Sequence, residues 1–216
     1  MYIIQDEKET DSRNKAIKIF QYHKKSFVDV IFRHYKFLEK NRTIINLCEE
    51  QMQKEQISLP EIKLIGISVR TSFEQELDKM KGNIFPCVKK YFHEALHEKI
   101  FHRKKPGTTY CAYTDYDTDY KGEYTYFIGE QVSFFDPALE ERGFQKLIIP
   151  AQQYMKLTNG PAPMPDVVVD AWEKIWEMTP EALGGKRGYN TDFEIYDERA
   201  ANHQNIILDV FVGIES

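Results

Sequence analysis

The segment His93-Glu94-Ala95-Leu96-His97 sets two histidines four positions apart, with a glutamate beside the first. On a helix this H-E-x-x-H spacing turns both imidazoles to one face, where they can bind zinc while the glutamate activates a water. The surroundings argue against such a centre. Val88, Tyr91, Phe92, Ala95, Leu96 and Ile100 recur at helical intervals as an apolar stripe, which leaves His93 and His97 on the outer face with Lys89, Lys90 and Glu94. A catalytic zinc needs a cleft and a third protein ligand, and His102, five positions after His97, lies past the helix end. The motif is therefore read as a solvated helix face, and neither a metal nor another cofactor is expected. Asp115, Asp117 and Asp119 lack the downstream glycine and glutamate of a calcium loop and read as an acid-rich hairpin. Cys48, Cys87 and Cys111 contain no C-x-x-C pair and read as reduced, mostly buried thiols. No glycine-rich phosphate loop, G-x-S-x-G elbow or dinucleotide fingerprint occurs, and Gly184-Gly185 before Lys186-Arg187 reads as a turn into a strand.

The elements that would carry a site fall into two kinds. Ile17, Phe20, Phe27, Ile31, Tyr35 and Leu38, followed by Ile44, Leu47, Cys48 and Met52, keep helical spacing, and no glycine or proline precedes Pro60. Residues 1–57 are accordingly read as a helical N-terminal segment and 58–216 as a separate domain. There Lys63–Thr71, Thr108–Tyr116 and Tyr124–Val132 alternate or are rich in Tyr, Thr and Phe, as strands are. Pro86 opens the helix between the first two. The order then returns: a strand over Phe144–Leu157, a helix from Pro165 with stripe Val168, Ala171, Trp172, Ile175 and Trp176, and strands over Tyr189–Tyr196 and Asn205–Ile214. Pro86 precedes Tyr116 by 30 positions and Pro165 precedes Tyr196 by 31. Near-equal spacing is what a duplicated β-α-β-β unit produces, so an α+β fold of two pseudo-symmetric halves is expected.

Composition limits what such a domain does. The chain has 216 residues, 42% hydrophobic and 29% charged, and can bury a real core. No apolar run approaches the roughly 20 residues of a membrane helix, and Met1–Asp11 is acidic and polar, so a cytoplasmic protein with no membrane association is expected. A net charge of -5 repels nucleic acid, although residues 1–56 carry eleven basic against nine acidic side chains. DNA or RNA polymerase contact, if any, would fall to that segment, which is also readable as a packing appendage. The 13 Tyr and 14 Phe are the compositional oddity and point to an amphipathic interface or pocket.

The runs Tyr113-Thr114-Asp115-Tyr116, Gly122-Glu123-Tyr124-Thr125-Tyr126-Phe127-Ile128-Gly129, Val168–Trp176 and Thr191–Asp197 together resemble the GyrI-like, AraC-type effector-binding domain, in its stand-alone, integron-associated branch. The likeness covers about residues 60–215. It implies a curved antiparallel sheet crossed by two helices, with a central cleft between the halves that takes up lipophilic, often cationic, small molecules. It also implies that Glu194 is the acidic residue that meets the ligand's charge.

Strand alternation puts Asp192, Glu194 and Tyr196 on one face and Phe193 and Ile195 on the other. In a cleft lined by Trp172, Trp176, Tyr116 and Tyr126, the Glu194 carboxylate would be desolvated and its pKa raised, and a cation would restore the lost stabilisation. Each well-placed ring adds about 0.5–2 kcal/mol of cation–π attraction. The reading is thus a non-enzymatic small-molecule effector-binding protein, linked to transcription regulation or drug sensing. Two alternatives stay open at this point: a hydrolase in which the same glutamate activates water against strained electrophilic natural products, and a protein-interaction module that inhibits gyrase.

Overall fold

The computed structural model describes residues 52–78 and 80–215. Nearly all of the helices expected over 1–57 lies outside these residues. At the boundary the reading is corrected: Gln53–Leu59 is a strand, β1, and not the end of a helix. Four polar residues open it, all exposed, and only Ile57 and Leu59 turn inward, so little apolar alternation marks it as a strand.

The elements follow as β2 (Ile62–Ser72), α1 (Phe73–Leu77), α2 (Ile84–His93), β3 (Thr109–Thr114), β4 (Glu123–Gln131), α3 (Pro137–Glu141), β5 (Gln145–Ile149), β6 (Gln152–Ala162), α4 (Asp166–Glu177), α5 (Pro180–Leu183), β7 (Lys186–Arg187), β8 (Thr191–Tyr196) and β9 (Ile206–Glu215). The unit β2-α2-β3-β4 returns as β6-α4-β8-β9, which is the duplication read from the spacing. The strand expected over Phe144–Leu157 is two strands, because Pro150 lacks the N–H a continuous ladder would need.

All pairings are antiparallel, in the order β1-β6-β9-β8-β3-β4-β2-β5, with β7 paired to β9. The two halves meet at the centre, where β3 lies beside β8 and Cys111 faces Glu194 across the ladder. Curvature follows from the connections. Only two residues separate β1 from β2, and two separate β5 from β6, although β1 and β2 lie near opposite ends of the sheet. Three Cα steps span at most about 11 Å, so the sheet must curl until both edges meet at one corner.

Alternation then gives the sheet two apolar faces. Inside the curl lie Leu64, Tyr110, Phe127, Tyr154, Phe193 and Phe211, with Phe193 stacked on Phe211 at 4.5 Å. On the other face α4 covers Leu157, Val210 and Val212, and α2 packs with Cys111, Tyr126 and Ile128. Glu194 shares that helix-bearing face, between the two cores. No helix among the described residues is long and apolar enough to cross a membrane.

Candidate functional site

Glu194 sits on β8 between Cys111 of β3 and Val210 of β9, and 2% of it is exposed. Three neutral donors hold its carboxylate. The Trp172 indole donates to Oε1 at 2.6 Å, the Tyr113 hydroxyl donates to the same oxygen at 2.8 Å, and the Tyr196 hydroxyl donates to Oε2 at 2.7 Å. No Lys, Arg or His among the described residues pairs with it, whereas the buried carboxylates of Glu130, Asp192 and Asp209 meet Arg103, Arg187 and Arg199. Burial raises its pKa above the ordinary glutamate range, and the bonds from Trp172, Tyr196 and Tyr113 offset part of that rise.

Asp192, on the same face and fully buried, is handled in the opposite way. The Arg187 guanidinium reaches its Oδ2 at 2.7 and 3.1 Å, the Tyr116 hydroxyl donates to that oxygen at 2.9 Å, and the Gly213 N–H donates to Oδ1 at 2.9 Å. Arg187 also lies over the rings of Tyr189 at 4.5 Å and Trp172 at 5.5 Å. The site's own cation is therefore committed to Asp192, and Glu194 keeps its charge unmatched.

In front of Tyr113 and Trp172 lies a cavity of about 80 Å³, walled also by Phe73, Glu76, Tyr116, Tyr120, Tyr124, Trp176 and Arg187. It is small beside a guest with several rings and partly open to solvent, so such a guest must extend beyond it or part the rings. Trp176 is enclosed by rings: Tyr120 stacks on it at 5.1 Å, Phe73 meets it edge-on at 5.4 Å, and Trp172 lies 6.4 Å away. These contacts join three elements. Trp172 and Trp176 stand one turn apart on α4, Tyr120 comes from the β3–β4 connection, and Phe73 from α1, whose start is capped by the Ser72 hydroxyl accepting from the Gln75 N–H.

Of the residues named from sequence, Trp172, Trp176 and Tyr116 line the cavity. Glu194 and Tyr196 lie behind that wall, joined by their hydrogen bond. Tyr126 is not in the wall: it is 3% exposed, its hydroxyl donates to the Cys111 thiol at 3.1 Å, and its ring backs Tyr113 edge-on. Sequence reasoning missed Tyr113, Phe73, Tyr120, Arg187 and Glu76. Tyr113 shares the face of Cys111 by simple alternation, and Ser72-x-x-Gln75 has the spacing of a capping box, so signals for Tyr113 and α1 were present.

The H-E-x-x-H segment is not a continuous helix. The helix α2 ends at His93, Ala95 takes a left-handed φ of 49°, and Leu96–Lys99 forms a 3-10 turn. His97 thereby folds back against Tyr91 and Phe92 instead of facing outward with His93. Among the described residues no three His, Cys, Asp or Glu side chains converge as a metal site.

Comparison with known proteins agrees with this architecture. The family described as integron-associated effector binding protein matches residues 55–214. The protein YobU of Bacillus subtilis (strain 168), whose name places it among candidate transcriptional regulators, is 24% identical over 153 residues, covering 71% of this chain and 92% of that one. Among solved structures, an integron cassette protein from the mobile metagenome of Vibrio cholerae superposes with a TM-score of 0.59 at 22% identity, over 75% of this chain and 95% of that one. The structure of SAV2435 bound to tetraphenylphosphonium gives 0.60 at 13% identity, over 76% and 95%. At these identities the structures speak to the shared fold.

Proposed function

This chain belongs to the integron-associated effector-binding family, and from that premise we propose that it captures lipophilic cations in the ring-lined cavity, with Glu194 as the anionic anchor. The observation that carries the reading is the state of Glu194: a carboxylate buried at 2% exposure, held by three neutral donors and paired with no cation among the described residues. A buried charge without a counter-charge costs several kcal/mol, and an entering cation offsets that cost. The rings that close the cavity offer faces to the same cation and apolar surface to its substituents. Trp172, Trp176, Tyr116 and Tyr113 form the contact surface in this proposal, Tyr196 orients the carboxylate, and Tyr126 supports Tyr113 from behind. Tetraphenylphosphonium, the ligand named for SAV2435, combines one positive charge with four rings and is the natural first probe. A regulatory role as a sensor accords with the name carried by YobU.

The test is a titration of the full chain with tetraphenylphosphonium, followed by tryptophan fluorescence. Both tryptophans of the chain line the cavity, so the signal comes from the site alone. Quenching that saturates is expected, with affinity about 10- to 100-fold weaker in Glu194→Gln, the usual scale for losing one buried charged contact. Equal affinity in that variant would remove Glu194 from the mechanism.

A further inference from the structure

Two carboxylates serve the cavity, and they approach it differently. Glu194 lies behind Tyr113 and Trp172, whereas Glu76 is itself part of the wall. Glu76 stands on α1 and uses one oxygen to organise its surroundings: Oε1 accepts from the Asn83 N–H at 2.7 Å, from the Ile84 N–H at 3.2 Å and from the Thr71 hydroxyl. Its second oxygen, Oε2, has no hydrogen bond or ion pair among the described residues. Gly82 packs close to it, and a Cβ there would lie 2.8 Å from that oxygen. Asp192 adds no net charge, since Arg187 neutralises it. The cavity therefore has one carboxylate in its wall, Glu76, and a second behind it, Glu194, while the wall's own cation, Arg187, is matched by Asp192. Tyr124, in the same wall, registers both: burial first, then the charges of Glu76 and Glu194, push its hydroxyl pKa up.

A bulky aromatic guest strips water from Glu76 as it fills the cavity, and one cationic centre can face only one of the two carboxylates closely. With a single charge on the guest, the other acid is left desolvated with hydrogen bonds but no counter-charge. A guest with two separated positive centres removes that penalty. We propose that the preferred ligands are lipophilic dications, with one cationic centre toward Glu194 and the second toward Oε2 of Glu76. This rests on the cation-binding reading above and narrows its ligand class.

The experiment compares two probes on the full chain by tryptophan fluorescence: tetraphenylphosphonium, with one charge, and p-xylylene-bis(triphenylphosphonium), with two. The dication is expected to bind at least about tenfold more tightly, and Glu76→Gln to abolish that margin. Glutamine keeps an acceptor oxygen for Asn83 and Ile84, so the start of α2 stays capped, and an unchanged circular-dichroism melt checks this. A dication that binds no more tightly than the monocation overturns the inference, as does a margin that persists in Glu76→Gln. In either case Glu194-dependent binding of tetraphenylphosphonium leaves the cation-binding reading standing. If neither probe binds, both fall.

Discussion

Burial decides how Glu194 responds to pH. The folded chain holds its proton to higher pH than an unfolded glutamate would, because desolvation outweighs the three donated hydrogen bonds. Across the window from the ordinary glutamate value up to the raised one, the folded state binds more protons than the unfolded state, and stability falls as pH rises. Glu194→Gln removes this titration. Thermal melts at about pH 4 and about pH 8 should show the variant gaining on the parent at the higher pH. Ligand affinity runs the other way: a cation pairs with the ionised form, so tetraphenylphosphonium binding strengthens through the same window and then levels off, while Glu194→Gln stays flat. A parent profile without slope would mean that the carboxylate is already charged throughout. At this scale the sequence was legible in part. Alternation along Thr191–Tyr196 placed Glu194, Asp192 and Tyr196 on one face correctly. It could not say that Asp192 would be matched by Arg187 and Glu194 by nothing, because that depends on where a two-residue strand meets β9. Tyr126 was misplaced for a related reason: it shares the right face, but one strand further from Glu194 than Tyr113.

Elements bring the rings together, and the β2–β4 ladder shows how tight the tolerances are. Gly66 and Gly129 face each other in that ladder, and a Cβ at either would lie 2.0 or 2.2 Å from the carbonyl oxygen of Ile128 or Ile65. Backbone cannot yield as a side-chain tip can, so Gly129→Ala should cost about 2 kcal/mol or more, read as a lower urea midpoint with unchanged slope. Tyr120→Ala should act in the opposite register. It is half-buried on the β3–β4 connection, away from the three cores, so its removal should lower the melt only slightly while weakening tetraphenylphosphonium roughly 2- to 10-fold through the lost stack on Trp176. The main helices were readable because their stripes are regular: Val168, Ala171, Trp172 and Ile175 are all buried on α4. The five-residue α1 was not, since it is too short to show a period, and its three contributions to the wall, Phe73, Glu76 and Leu77, went with it. The H-E-x-x-H pattern failed as a signature through local geometry, because Ala95 leaves the helix before the second histidine.

At the scale of the whole molecule, the duplication was visible because each half returns its strands over a helix of similar length. The joining of the halves was not, because register and curl arise from pairings far apart in sequence. Residues from Met52 through Ile214 supply the three apolar cores and the cavity wall named above. A chain beginning at residue 52 tests whether they suffice: a cooperative melt and the full chain's affinity for tetraphenylphosphonium are the expected outcome. Starting instead at residue 61 removes β1, strips the ladder from the outer edge of β6 and exposes the apolar neighbours of Ile57 and Leu59, and should lower the melting temperature. The corner where β1 runs into β2 and β5 into β6 has a mechanical corollary. Along the backbone the halves are joined at two places, the β3–β8 ladder and those paired crossings, and the rings of Phe73, Tyr120 and Tyr113 against Trp176 and Trp172 join them a third time. A guest wedged between the rings would open that third join and leave the two backbone joins in place.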